Sequence, residues 1–490
     1  MKLAPFIVGL FFASALFVAA AASAAKPRNV LIFLADDYGY MDLGANNPTT
    51  FYETPNLDRL AATGVRFTSG YAANPVCSPT RYSIQTGRYP TRAGLTNWLA
   101  GMRVERFQNA PLTLQMPLAE TTLAEVLRPA GYRTAFVGKW HLGEEEKFWP
   151  EAQGFDVNIG GFSKGSPPSY FSPYKNPRLA DGPPGEHLTM RLADETAALM
   201  AKFAGEGKPF FIQHSCYDVH TPLQAPKELV EKYRAKAERL GLKDAFAEEK
   251  QHFISVQAPR QVRTVQNHAV YAAMVESMDT AIGRVLRKLD ELGLADSTLV
   301  VFTSDNGGLS TSEGLPTSNL PLRGGKGWVY EGGIREPFLV RLPGATLRPG
   351  TTSDVPVMST DLFATALDYA GVKVPAGLTI DGLSLAPLLR GGAAPARDAL
   401  YWHYPHYGNQ GGFPGGAIRM GDWKLVENYE DGAVELYNLR EDIGEKRDLA
   451  AAQPARVTAM RAKLHAWYRE VGAKFLRAKD GGPQPWSPGQ

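Results

Sequence analysis

Short, unbroken apolar runs punctuate the chain, and each closes on a cluster of polar residues. The first, Asn29-Val30-Leu31-Ile32-Phe33-Leu34, ends in Ala35-Asp36-Asp37. Runs without alternation between apolar and polar positions are the pattern of strands buried on both faces. Residues 133–137 end in Gly138-Lys139-Trp140-His141, and residues 209–212 lead through Gln213-His214 towards Asp218-Val219-His220. Residues 299–302 run into Thr303-Ser304-Asp305-Asn306-Gly307-Gly308, and residues 337–340 form a fifth run. Between them, apolar residues recur at helical spacing over 56–62, 118–127, 189–203 and 361–369, the last closed by Gly371. The longest such segment, 271–292, places Met274, Met278, Ile282, Val285 and Leu289 on one stripe. Strands alternating with helices predict an α/β fold, a large and mostly parallel sheet flanked by helices on both faces. Ligands in such sheets bind outside the carboxyl ends of the strands. Every polar cluster named above falls at that edge.

The pattern changes at Leu389-Arg390-Gly391-Gly392-Ala393-Ala394-Pro395, which reads as a linker. Beyond it, segments 400–404, 417–426 and 434–438 read as short strands, with turn signals at Gly421-Asp422 and Glu430-Asp431-Gly432. A helix over 454–471 follows. The expected organisation is therefore a main domain over 25–390, a smaller C-terminal α+β subdomain with an antiparallel sheet over 396–478, and a flexible tail over 479–490. Residues 1–24 read as a secretory signal: Lys2, an apolar core over 6–20, and the small-residue site Ala22-Ser23-Ala24. An uncleaved anchor is the alternative, and the A-x-A ending favours cleavage. The expectation is an exported protein, periplasmic or extracellular, with no stable membrane insertion after cleavage.

Composition narrows the partners. Of 490 residues, 44% are hydrophobic and 21% charged, the balance of an ordinary globular protein, and the formal charge of +2 argues against nucleic acid as a ligand. The two cysteines, Cys77 and Cys216, admit two readings: one structural disulfide, which an oxidising compartment permits, or a chemically used Cys77 beside a small buried Cys216.

Cys77 sits in Cys77-Ser78-Pro79-Thr80-Arg81, where a loop turns into a helix. Pro79 suits a first helical position and Gly87 a stop. A helix N-terminus favours an anion beside it, and Arg81, one turn on, adds a fork that matches oxyanions. Singly, the other clusters have plain explanations. Asp36-Asp37 suits a cap, Asp305-Asn306-Gly307-Gly308 a turn, and Lys139, His141, His220 and Lys326 suit surface or satisfied core positions. Their joint placement at one sheet edge changes the reading. Three carboxylates with an amide oxygen make a hard-oxygen site suited to Ca²⁺ or Mg²⁺. Lys and Arg cations beside such a site are explained if an anionic substrate shares it.

The residues resemble the formylglycine-dependent sulfatases of the alkaline-phosphatase-like superfamily. Cys77-Ser78-Pro79-Thr80-Arg81 is similar to that family's C-x-P-x-R motif, and Thr86-Gly87-Arg88 to its second motif. Asp36-Asp37 and Asp305-Asn306-Gly307 resemble its metal pairs, and Gly138-Lys139-Trp140-His141-Leu142-Gly143 its G-K-W-H-L-G block. His220-x-Pro222, Lys326 with Glu331-Gly332-Gly333-Ile334-Arg335, and the later 421–425 and 435–439 segments follow in family order. The resemblance implies a sulfuric ester hydrolase. Cys77 would be converted to formylglycine by a generating or maturating enzyme, and its hydrate would attack sulfur. Asp36, Asp37, Asp305, Asn306 and the modified Cys77 would hold a divalent cation, most often Ca²⁺, with Mg²⁺ as the alternative. Arg81 and Lys139 would stabilise the diol, His141 would take a proton, and His220 and Lys326 would face the ester oxygen. A disulfide at Cys77 would remove the nucleophile, so the resemblance implies free thiols.

One departure concerns a serine that many members carry after the G-K-W-H-L-G block, for which Ser163 and Ser166 are candidates. Residues 160–174 are candidate pocket lining. For the substrate, Trp98, Arg103 and Arg106 are placed to reach the mouth, and His403 and His406 lie in an aromatic-rich segment, Tyr401 to Tyr407. Aromatic faces among His and Arg suit a sulfated sugar, and a packed strand is an equal alternative at each position. The expectation is an exo-acting carbohydrate sulfatase, with a broad arylsulfatase or a phosphodiester or phosphonate ester hydrolase of the same superfamily as alternatives.

Overall fold

Because residues 29–35 are apolar without a break, they can be buried on both faces, and they form the central strand of the large sheet with every residue buried. The computed structural model describes residues 1, 4, 28–99, 101, 103–249 and 260–489, so nearly all of the expected signal segment lies outside the described residues. No described helix is long and apolar enough to cross a membrane.

In chain order the large sheet contains β1 (Asn29–Ala35), β2 (Val65–Phe67), β3 (Arg133–Gly138), β4 (Val157–Ile159), β5 (Phe210–Ser215), β6 (Thr298–Ser304), β7 (Phe338–Arg341) and β8 (Thr351–Ser353). Its spatial order is β8-β2-β7-β6-β1-β5-β3-β4. All neighbours are parallel except β7, which runs antiparallel to both β6 and β2. The strand order reverses around β1, with β6 on one side and β5 on the other, and that reversal opens a crevice at the carboxyl edge. The helices fall into two packing groups. The helix Ala269–Glu291 packs on Pro55–Thr63, Leu188–Gly205 and Lys227–Arg239, while Cys77–Thr86, Leu123–Leu127 and Asp361–Ala370 pack on one another. Helix 118–127 is shorter than expected. Thr122 accepts from the Glu125 amide and Glu125 reaches back to Thr122, a capping box that starts the helix at Leu123.

Beyond residue 395, β9 (Leu400–Tyr404), β10 (Gly415–Met420), β11 (Trp423–Asn428) and β12 (Val434–Asn438) form an antiparallel sheet in sequential order, with the helix Pro454–Glu470 packed on it. The core of this layer also takes in Tyr71, Val76, Trp328, Tyr330 and Met358 from the preceding chain. Lys424, on β11 and fully buried, ties the layers together. Its ammonium lies 3.0 Å from Glu331 and 2.8 Å from Glu445. Glu331 also takes Arg335 at 3.1 Å and the Tyr71 hydroxyl at 2.8 Å. Removing one partner of such a pair strands the other charge away from water. Lys424→Met is therefore expected to cost about 3–5 kcal/mol of stability in urea unfolding; a change under about 1 kcal/mol, the worth of a surface pair, would contradict the assignment.

Candidate active site

The helix that carries Cys77 begins at Cys77 itself rather than at Pro79, with Val76 as an extended N-cap. Pro79 still costs nothing, because the first four amides of a helix have no intrahelical partner. At the other end Gly87 takes φ 68° and donates to the Ser83 carbonyl, closing the helix as its sequence suggests. All ten residues of this helix are buried, and Cys77 and Cys216 are free thiols, so the disulfide reading does not hold.

Asp36 and Asp37 leave the end of β1, Lys139 and His141 the end of β3, and Asp305 and Asn306 the end of β6. Asp37 and His141 both adopt left-handed backbone, with φ 59° and 56°. Lys139 Nζ donates to both oxygens of Asp36 at 2.8 and 2.7 Å. Arg81 donates from Nε to Asp305 Oδ2 at 2.8 Å and from Nη1 to the Lys139 carbonyl at 2.9 Å, and its Nη2 lies 3.5 Å from Asp36. Lys326 Nζ donates to Asp37 Oδ2 at 2.8 Å, and the Asn306 amide nitrogen to Asp37 Oδ1 at 2.8 Å. His220 Nε2 stands 3.6 Å from Asp37, and Cys77 Sγ lies 3.4 Å from His141 Nδ1. The nucleophile candidate, the carboxylates and the cations thus meet in one place.

Electrostatics follow from burial. Asp36 is pushed well above the usual carboxylate range by burial, with the Asp305 and Asp37 charges adding to it against Lys139. Burial acts the same way on Asp37, but Lys326 and His220 outweigh it and hold that carboxyl low. Lys326 is also buried, and Asp37 and Glu313 overcome the desolvation to keep its ammonium protonated. His141 is driven well below its ordinary value by burial and by Lys139 and Arg81, so it is a neutral imidazole and an acceptor. Burial pushes the Cys77 thiol up, with Lys139 and Lys326 only partly offsetting it; it is not a thiolate at neutral pH.

The donor set fits a hard cation. One oxygen each of Asp36 and Asp37 and a ring nitrogen of His220 lie within 4.8 Å of one another. Asn306 Oδ1 is buried with no hydrogen-bond partner, while its own nitrogen is spent on Asp37. An orphaned amide oxygen beside like-charged carboxylates is what a divalent cation would satisfy.

Above these groups opens a cavity of about 720 Å³ lined by Cys77, His141, His220 and Lys326 at the bottom. Ser163, Ser166 and Trp98 also line it, and Gly165 packs so close to the His141 ring that a Cβ would stand 2.5 Å from it. Other expected substrate contacts are corrected. His403, on β9, is buried in the second core, with Nδ1 2.6 Å from the Tyr429 hydroxyl and Nε2 2.9 Å from the Lys474 carbonyl. His406 is buried with Nε2 2.7 Å from Thr96 Oγ1. Arg103 pairs its backbone with Tyr407, and Arg106 is an exposed partner of Glu430 at 3.5 Å; neither lines the cavity. Segment 401–407 is dense in histidine and aromatics because it is core. Further polar lining comes just after it, from Asn409 and Gln410, together with Glu313, and no motif marked these three.

The buried histidines carry a pH consequence. His214 is depressed to about 4, and His403 and His406 to about 3, chiefly by burial. Each folded value lies below the unfolded value of about 6.5, so the stabilisation is complete above that pH and is lost as pH falls through the window. Stability should drop between pH 6.5 and 4 by up to about 1.4 kcal/mol per pH unit for each histidine. His406→Gln should remove one histidine's share of that slope in unfolding measurements; an unchanged slope would contradict its neutral, buried state.

Carboxylates, buried cations and a helix N-terminus converging at the carboxyl edge of an α/β sheet define a hydrolase site for an anionic ester. The chain belongs to the sulfatase family: the Sulfatase profile matches residues 28–372, and the N-sulphoglucosamine sulphohydrolase C-terminal profile residues 325–472. It is 30% identical to a sulfatase of Formosa agariphila, over 90% of this chain and 88% of that one. It is 33% identical to human N-acetylgalactosamine-6-sulfatase, over 78% of this chain and 69% of that one. Among solved structures it resembles Ps i-CgsB in complex with k-i-k-neocarrahexaose, at TM-score 0.73 and 28% identity, over 90% and 93% of the two chains. The protein is an enzyme that hydrolyses sulfate esters.

Proposed function

We propose that this sulfatase is an exo-acting carbohydrate sulfatase that works through formylglycine at position 77 and a divalent cation, Ca²⁺ in preference to Mg²⁺. The observation that carries the reading is the placement of a free, protonated Cys77 at the bottom of the cavity, 3.4 Å from His141 and ringed by Asp36, Asp37, Asp305, Lys139, Lys326 and Arg81. A buried neutral thiol is a poor nucleophile, which supports its being a precursor. Converted by a maturating enzyme, residue 77 would supply a hydrated aldehyde oxygen as nucleophile towards sulfur. The cation, held by Asp36, Asp37, Asp305, Asn306 and residue 77, would supply electrophilic charge at the sulfate oxygens.

The chain's own residues supply the rest. Lys139 and Arg81, fixed on Asp36 and Asp305, present buried positive charge that strengthens towards oxygen atoms gaining charge. His141, neutral beside residue 77, is the acceptor for the proton released there, while Gly165 fixes its ring. Lys326, kept protonated by Asp37, is the donor to the departing alcohol oxygen. His220 faces that oxygen, with its ring held by Nδ1–H donating to the Thr221 carbonyl at 2.9 Å.

A cavity of about 720 Å³ with Cys77, Asn409 and Gln410 in its lining has room for a terminal sugar, and two similar proteins carry carbohydrate in their names: N-acetylgalactosamine-6-sulfatase, and Ps i-CgsB in complex with k-i-k-neocarrahexaose. Export to the periplasm or exterior agrees with that role and with the signal-like residues 1–24. Sulfate release from a panel of sulfated mono- and oligosaccharides, aryl sulfates and phosphate diesters tests the reading. Turnover of a terminal sugar sulfate above the other classes supports it. Turnover of aryl sulfates alone, or of phosphate esters in preference, overturns it. Dialysis against a strong chelator is expected to lower turnover at least about 100-fold, with Ca²⁺ restoring it; unchanged turnover after verified metal removal would exclude the cation.

A further inference from the structure

On one wall of the cavity stand Glu313, Asn409 and Gln410, none of which the catalytic roles bring into contact with the substrate. Glu313 is held at φ 52°, between Ser312 and Gly314 (φ 92°), in backbone that residues other than glycine seldom adopt. Backbone of this kind persists where the surroundings over-determine it, commonly at ligand sites. The Gln410 amide nitrogen donates to Glu313 Oε1 at 2.9 Å. A carboxylate oxygen can only accept there, so this bond fixes which end of the Gln410 amide is which. Gln410 Oε1 is left buried with no partner, and Asn409 Oδ1 is likewise buried and unpartnered. The nearest cation to Glu313 is Lys326, 4.0 Å away, and that ammonium is already committed to Asp37 at 2.8 Å. The wall is therefore rich in acceptors and short of donors. Buried acceptors without donors are uncommon unless something else supplies them.

We infer that Glu313, Asn409 and Gln410 form a specificity subsite that accepts hydroxyl groups of an uncharged sugar ring and rejects a ring carrying a second anionic group beside the scissile sulfate. The inference rests on the carbohydrate-sulfatase reading above and adds the class of sugar. Hydroxyls are donors that match the three acceptors, and a site built to hydrogen-bond a hydroxyl discriminates strongly against a ring that lacks it. A second sulfate or a carboxylate brings no donor and sets like charge against Glu313. Trp98, in the same lining, is an aromatic side chain of the kind that packs on sugar rings.

The test uses the matured full-length enzyme and measures sulfate release. From galactose, glucose and N-acetylhexosamine monosulfates, the sugar turned over fastest is compared with the same sugar bearing a second sulfate and with its deoxy analogue. The wild type is expected to favour the monosulfate over the disulfate by at least about 100-fold in kcat/KM, and Glu313→Gln to cut that ratio about tenfold or more. Asn409→Ala, a partly exposed position that the fold tolerates more readily, is expected to narrow the preference for the hydroxylated over the deoxy sugar by about tenfold. Ratios within one enzyme are independent of how much of it is folded or matured. A wild type that prefers the disulfate, or ratios unmoved in both variants, overturns the inference and leaves the carbohydrate-sulfatase reading standing. Release of sulfate from none of the sugars overturns both.

Discussion

Cys77→Ala is expected to abolish sulfate-ester hydrolysis, with a loss of at least about 10⁴-fold in kcat, while the protein stays folded. The loss follows from chemistry rather than packing. Alanine removes one sulfur atom from a helix whose remaining contacts, including Arg81 on Asp305 and the Gly87 cap on Ser83, are untouched. Of the other described residues lining the cavity, His141 lies 3.4 Å from Cys77 Sγ and His220 3.6 Å from Asp37, and on the proposed roles neither would replace the nucleophile. An unchanged unfolding midpoint with lost turnover is the expected pair of results. Residual turnover within about tenfold of wild type would move the nucleophile elsewhere.

Lys326→Met is expected to lower kcat by about 10²–10⁴-fold on substrates with poor leaving groups, the range of general acid catalysis. The dependence on the leaving group separates this role from a structural one. A sugar alcohol departs badly without a proton, whereas 4-nitrophenolate departs well without one. The defect should therefore be at least about tenfold smaller on 4-nitrophenyl sulfate than on a sugar sulfate. Equal losses on both would assign Lys326 to holding Asp37, which it touches at 2.8 Å, instead of to proton donation. Because the partners are coupled, Asp37→Asn combined with Lys326→Met should cost less than the sum of the two changes.

Much of this architecture was legible in the chain. The five apolar runs are strands because runs this short and apolar bury both faces by pairing with neighbouring strands, and the clusters after the first four sit where the parallel sheet opens. The antiparallel entry of β7 into the large sheet carried no such mark, since Phe338–Arg341 is as apolar as its parallel neighbours. The gathering of Cys77, the carboxylates, Arg81 and Lys139 at one sheet edge was legible because they close apolar runs or open a helix in the chain. The substrate wall was not. Asn409, Gln410 and Glu313 are ordinary polar residues in loops, and only the folded chain brings them into one cavity with His220. His403 and His406 misled for the opposite reason: imidazole beside aromatic rings reads the same in a pocket and in a core, and burial alone separates the two.

Peptide mass analysis of residue 77 in active enzyme tests the central claim most directly. The peptide spanning Cys77 to Arg81 should be about 18 Da lighter than its cysteine form, because an aldehyde oxygen replaces the thiol and its neighbouring hydrogen. The fraction converted should match the fraction of active sites. A fully active preparation in which that peptide retains the mass of cysteine would contradict the account.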